Sequence, residues 1–354
     1  MNTHKELRRS NRILSLLLLV IFLLTTITGC KQPSSSYTKI EKSGFILNTV
    51  VTITLYGVND ESIIDDAFDK CREYELIFSR TNENSELYKL NNRELENTDT
   101  GYVLSEDLAT LIQSAYSYSK LSGGAFDLTV EPVSSLWDFT NPEATIPSEE
   151  SIKESLSHIS YQKVHLNGNT IRFDDENTRI DLGAIAKGYI ADRLKEYLIS
   201  RGVESAMINL GGNVVCVGEK PNGEPFLVGI QKPFADRNEI VATMELKDKS
   251  IVSSGIYERF LQVGDNFYHH ILNPKTGYPY DNNLVSVTII SDLSVDGDGL
   301  STTVFALGLE EGMKFINSLE NVDAVFITDD YKLHYSEGFH DRITVNEEGA
   351  VTQP

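Results

Sequence analysis

The sequence predicts a single α+β domain built from mixed sheets and packed helices. Helical and strand-like stretches interleave without the regular strand–helix–strand rhythm of a doubly wound parallel sheet. The chain has 354 residues, with no internal repeat and no change of composition beyond its N-terminal segment. Beyond residue 202, strand patterns dominate. These observations place one large domain over residues 43–354.

The first 42 residues read as address and tether. Lys5, Arg8, Arg9 and Arg12 form a basic start, and Ile13 to Thr28 is almost wholly apolar. Ile27-Thr28-Gly29-Cys30 has the form of a lipoprotein cleavage site, which makes residues 1–29 a signal and Cys30 the lipidated first residue. The apolar run is short for a spanning helix. Residues 30–42, with Pro33 and three consecutive serines, read as a flexible tether. The expected location is the extracytoplasmic face of a membrane, periplasmic or cell-surface.

Within the domain, Val51 to Leu55 alternates as a half-buried strand, and Glu61 to Phe78 carries Ile63, Ile64, Ala67, Phe68, Cys71 and Tyr74 at helical spacing. Ser105 caps a second helix that Gly123-Gly124 ends. Ser148 starts a shorter one, and Asn167-Gly168 centres a hairpin over Val164 to Phe173. A strand-like Thr178-Arg179-Ile180 leads into a helix from Ala184 to Ser200. Strands follow at Ala206–Leu210, Asn213–Val217, Phe226–Ile230, Arg259–Val263 and Val285–Ile290. Helices over Leu300–Leu307 and Glu310–Leu319, then a hairpin around Asp329-Asp330, complete the reading.

A formal charge of −21 argues against nucleic acid, which requires a basic footprint. It also repels an anionic nucleotide, so any such site must supply local positive charge. Cys71 and Cys216 each fall in an apolar pattern, and the default for both is a free buried thiol.

Two segments carry the chemistry. Asp181-Leu182-Gly183-Ala184-Ile185-Ala186-Lys187-Gly188 sets a lysine and small residues at a helix N-terminus, where free N–H groups favour phosphate. On these residues alone, a strand entering a helix with a solvated Lys187 is the more ordinary reading. Asp298 and Thr302 stand at i and i+4, one face of a helix, and offer the hard oxygens Mg²⁺ accepts beside phosphates. The bland alternative makes Asp298 an N-cap. Of His269 and His270, at the end of a strand, only one can face a given site. No histidine cluster suits zinc.

These residues, taken with others, resemble the ApbE family of FAD:protein FMN transferases across essentially the whole mature chain. The resemblance rests on Gly124-Ala125-Phe126-Asp127 with Thr129-Val130 and Pro132, the Asp181–Gly188 run, Asn209-Leu210-Gly211-Gly212, Ser253-Ser254-Gly255, His270 to Gly277, and Asp298 to Thr302. It implies a reaction in which FAD is held with Mg²⁺ and a threonine hydroxyl of a target protein attacks the FMN phosphorus, releasing AMP. It further implies Asp298, Thr302 and the carbonyl of Ala184 as metal ligands with Ser301 close by, and Lys187 facing the diphosphate. Asp181, Ala125, Phe126, Asp127 and Leu272 would line the FAD site, and His270 would help deprotonate the acceptor. The expected acceptors are threonine-bearing subunits of membrane redox complexes.

Two positions depart from the family pattern. Leu47-Asn48-Thr49 stands where Met-Gly-Thr is common, and Thr81 stands where a tyrosine is usual. Leu47 and Thr81 would flank the flavin ring. Two competing functions share these residues: an FAD pyrophosphatase using water, and a flavin-binding lipoprotein without catalysis, which would not need Asp298 or Thr302.

Overall fold

In the chain's first hairpin, β1 (Lys39–Ile46) pairs with β2 (Thr49–Tyr56) around a two-residue turn. Leu47 and Asn48 there have φ of 58° and 56°, the pair of left-handed residues that a tight hairpin requires. The computed structural model describes residues 37–141, 143–236, 238–339 and 343–345. The signal, Cys30 and the tether as far as Ser36 lie outside these. Lys39 to Lys42, assigned to the tether from sequence, instead form half of β1, because every residue from Lys39 to Ile46 has a partner on β2.

The helices follow their apolar spacing and caps. α1 (Ser62–Phe78) buries Ile63, Ile64, Ala67, Phe68, Cys71 and Phe78, and α2 (Glu86–Asn91) follows, capped by Ser85. A small sheet begins with β3 (Asn97–Thr98) and β4 (Gly101–Val103). α3 (Glu106–Leu121) starts where Ser105 Oγ accepts the Leu108 N–H at 3.3 Å. It stops where Gly123 and Gly124 turn to φ 60° and 81°. α4 (Glu131–Ser134) and α5 (Glu149–Leu156) lead to β5 (Val164–Asn167) and β6 (Thr170–Phe173), the expected hairpin.

Residues 178–180 are not a strand. The segment is irregular, pinned by Asp181 N–H donating to Leu128 C=O at 2.9 Å, and α6 (Ala186–Ser200) starts two residues later than expected. Beyond it come β7 (Ala206–Leu210), β8 (Asn213–Val217), β9 (Phe226–Gln231), β10 (Ile240–Leu246), β11 (Ser250–Gly255), β12 (Phe260–Val263), β13 (Asn266–His269) and β14 (Leu284–Ser291). α7 (Ser294–Asn317) breaks at Gly308 (φ 79°, ψ 175°), which accounts for the two helical patterns read there. It begins at Ser294, before the predicted Leu300. β15 (Asp323–Thr328), β16 (Leu333–Tyr335) and β17 (Ile343–Val345) close the described chain.

An eight-stranded sheet in the order β1-β2-β7-β8-β11-β14-β15-β16 is antiparallel throughout. The α+β expectation holds. One apolar cluster packs residues of α1, α3 and α6 against β2 and β7. A second joins the sheet to the three-stranded β17-β10-β9 layer, and a third lies between α7 and β14–β15. Cys71 and Cys216 belong to different clusters and are free. Burial pushes both thiols up to about 12, so neither is a thiolate at neutral pH.

α6 and α7 touch backbone to backbone. A Cβ at Gly188 would lie 2.3 Å from the Ser294 carbonyl oxygen, so glycine alone permits the approach. Asp192 of α6 caps α7 across this contact, accepting from Ser294 N–H at 2.8 Å and Val295 N–H at 2.9 Å. The start of α7 is thereby fixed against α6.

Candidate active site

A cleft of about 1190 Å³ gathers most of the residues singled out in the sequence. Two hairpin tips contribute Asn48, Thr49, Gly211 and Gly212. Gly211 has φ 66°, and a Cβ there would fall 2.0 Å from Thr49 Oγ1, so the tips meet only because it is glycine. The segment entering α6 supplies Gly183, Ala184 and Lys187, and α7 supplies Asp298 and Thr302. His270 and Leu272 follow β13 on another wall, and Ala125, Phe126 and Asp127 come from the segment after α3.

Asp298 is not an N-cap. It lies inside α7, one turn from Thr302, and is 5 % exposed. Its Oδ2 accepts the Gly188 N–H at 2.5 Å. In a regular helix that N–H would go to the carbonyl four residues back, Ala184. Among the described residues the Ala184 carbonyl receives no backbone hydrogen bond. Burial pushes the Asp298 carboxyl up, while the Lys187 charge and the Gly188 N–H draw it back.

Ser301, expected near the metal, lies elsewhere. It is fully buried, its Oγ donating to the Asp298 carbonyl at 3.0 Å and meeting Ser254 Oγ at 2.8 Å. One residue from Thr302 is about 100° around the helix, which turns Ser301 away from the cleft and toward β11. Leu47 is a second correction. The left-handed turn packs it against the main core, and Asn48 and Thr49 line the cleft in its place.

Two carboxylates of the wall are already engaged by protein. Asp127 accepts from Thr129 N–H (2.9 Å), Thr129 O–H (2.7 Å) and Tyr161 N–H (3.0 Å). It pins the wall that presents Ala125 and Phe126. Asp181 accepts from Gly183 N–H at 2.8 Å and Ser134 O–H at 2.7 Å, and pairs with Arg80 Nε at 3.1 Å. Lys187, by contrast, has no carboxylate within 4.0 Å among the described residues.

Of the two histidines only His270 lines the cleft. His269 is buried, with Nε2 3.0 Å from the Tyr280 carbonyl. His270 Nδ1 lies 3.1 Å from the Arg259 carbonyl, which can only accept, so Nδ1 carries the proton and Nε2 the lone pair. Burial, with the Arg259, His269 and Lys187 charges, lowers its pKa to about 4.

The sequence profile described as the ApbE family matches residues 47–326. The chain belongs to the ApbE family. It is 35 % identical to an FAD:protein FMN transferase of Klebsiella pneumoniae over 288 residues, covering 81 % of this chain and 88 % of that one. An FAD:protein FMN transferase of Treponema pallidum is 28 % identical, covering 86 % and 88 %. The fold superposes on the flavin transferase ApbE of Vibrio cholerae with a TM-score of 0.76 at 28 % identity, covering 86 % of this chain and 99 % of that one. It also superposes on the ApbE protein of Thermotoga maritima with a TM-score of 0.78 at 30 % identity, with the same coverage.

Within this ApbE cleft, sequence reasoning overlooked Arg80 and Glu258. Arg80, just past the end of α1, adds its cation to those of Lys187 and Arg259 along the cleft. Glu258 opens into the cleft, yet the protein packed around its carboxyl raises its pKa, with Lys187 and Arg259 opposing and Asp298 adding to the rise. The only signal for either was a lone charge beside a motif.

Proposed function

We propose that this chain is a Mg²⁺-dependent FAD:protein FMN transferase that moves FMN from FAD to a threonine hydroxyl of a target flavoprotein. The observation that carries the reading is the Gly188–Asp298 hydrogen bond. It holds a buried carboxylate in place and leaves the Ala184 carbonyl without its helical partner. Asp298, Thr302 and Ala184 thus offer three hard oxygens to one cleft. Among the described residues no three His, Cys, Asp or Glu side chains cluster for a metal. A set with one carboxylate suits Mg²⁺, which takes few protein ligands and completes its shell with phosphate and water. Bound there, the ion supplies Lewis-acid neutralisation of the diphosphate.

The protein's own residues do the rest. Lys187, in the first turn of α6, faces the diphosphate and offsets the charge that develops on departing AMP. The threonine Oγ forms its bond to the FMN phosphorus as the phosphoanhydride bond breaks. AMP leaves with the bonding electrons, and the hydroxyl proton passes to Nε2 of His270. At a pKa near 4 His270 is neutral at working pH. The anionic diphosphate beside it counters Lys187 and Arg259 and makes it a stronger base for the step. The imidazole resonance of His270 is expected to titrate near pH 4 in the free protein, and His270→Ala to lose about 10²-fold in rate. A titration midpoint near 6.5, or an unchanged rate, rejects the assignment.

Incubation of the protein with FAD, Mg²⁺ and a threonine-bearing redox subunit tests the function, read as flavin fluorescence retained on a denaturing gel. Free FMN and AMP without label would mean a pyrophosphatase, and unchanged FAD a binder. The N-terminal pattern supports lipid anchoring at Cys30 on the extracytoplasmic face, within reach of such subunits. Thr81 lines the cleft where an aromatic would cover the flavin. Thr81→Tyr is expected to tighten FAD binding by about 0.5–1.5 kcal/mol, roughly two- to tenfold in Kd. Equal constants by fluorescence titration would show that the ring lies elsewhere.

A further inference from the structure

β9 is an edge strand of a kind proteins usually avoid. It ends the β17-β10-β9 sheet, and among the described residues no backbone hydrogen bond reaches it from any element but β10. Its sequence, Phe226-Leu227-Val228-Gly229-Ile230-Gln231, holds no charge and no proline. Edge strands are normally blunted by such residues. β1, at the edge of the large sheet, has Lys39, Glu41 and Lys42. Gly229 and Gln231 of β9 line the reaction cleft, so the open edge runs into it.

Beside that edge stands an aromatic rim. Phe234 and Phe260 are 39 % and 41 % exposed. Phe267 bridges them, with ring centroids 5.9 Å from Phe234 and 4.7 Å from Phe260. Phe234 has φ 60°, the left-handed conformation of the turn that joins β9 to β10. The rim adjoins the catalytic histidine: Phe260 pairs with His269 across the β12–β13 hairpin, and His270 N–H donates to Arg259 at 3.1 Å.

Resting on the transferase reading above, we propose that β9 and this rim seat an extended segment of the acceptor protein. The segment adds as a strand to β9, sets an apolar side chain on Phe234 and Phe260, and so carries its hydroxyl to His270. Main-chain pairing supplies affinity without demanding one sequence, and the rim supplies selectivity. The occupant is the acceptor rather than a second copy, because the edge continues into the cleft where the acceptor hydroxyl must react.

The probe is the flavin-free soluble domain of a bacterial redox subunit that carries phosphoester-linked FMN. The variant is Phe234→Asn with Phe260→Thr, since asparagine tolerates the left-handed backbone and threonine suits a strand. The KM for the probe is expected to rise about tenfold or more, with kcat and the Kd for FAD unchanged. Hydrogen exchange should show amides of 226–231 protected when the probe binds. An unchanged KM, protection confined to other segments, or sedimentation showing that the edge instead pairs with a second copy overturns the proposal. If the parent protein labels no probe, the transferase reading fails, while the exchange pattern still decides the docking.

Discussion

Asp298→Ala is expected to lower covalent FMN labelling of an acceptor by about 10²–10³-fold, the usual cost of removing a group that stabilises transferring charge. The loss is compounded by the hydrogen-bond switch at the start of α6. Without the carboxylate, the Gly188 N–H is expected to regain the Ala184 carbonyl, so that two of the three oxygens proposed for the metal go at once. Thr302→Ala removes one oxygen and should cost less. The fold should hold, because the substitution deletes a buried anion that the protein otherwise has to solvate. Labelling rates against Mg²⁺ concentration check this. An Asp298→Ala protein within tenfold of the parent, with the same Mg²⁺ dependence, would remove the metal from these residues.

Gly188→Ala should be nearly as damaging, for a different reason. On helix propensity alone, alanine would stabilise by about 1 kcal/mol. Its Cβ, however, would meet Ser294 O at 2.3 Å, Ser294 C at 2.6 Å and Val295 Cα at 2.7 Å. These are backbone atoms and cannot rotate aside, so α6 and α7 must part. Overpacking of this kind costs about 1–3 kcal/mol, which outweighs the propensity gain, and it also pulls the Gly188 N–H from Asp298. Urea unfolding and labelling rate should both fall. A variant more stable than the parent and equally active would show that the helix contact yields freely.

Local signals in the chain are accurate where one element decides its own fate. Ser105 and Gly123-Gly124 bound α3 in sequence as in structure, and Asn167-Gly168 turns its hairpin. β10 and β11 were not legible, since Ile240–Leu246 and Ser250–Gly255 become strands through distant partners on β9, β17, β8 and β14. Polar Ser253-Ser254 reads as loop until β14 pairs with it. The same limit hid β1, whose charges resemble a tether. At the site, Asp298, Thr302, Lys187 and His270, singled out in the sequence by residue chemistry together with the family resemblance, all line the cleft. Leu47 and Ser301 went astray because a turn's handedness and a helix's rotation decide where those side chains point. Arg80 and Glu258 matter only through the tertiary contacts of the cleft.

The proton shared between α6 and α7 has one more consequence. It is a single backbone amide that joins the start of α6, proposed to face phosphate, to the carboxylate proposed to hold the ion. Its nuclear resonance should therefore shift with magnesium alone, before any flavin is added. Loading of the enzyme becomes visible at one glycine, as a spectroscopic reading independent of turnover.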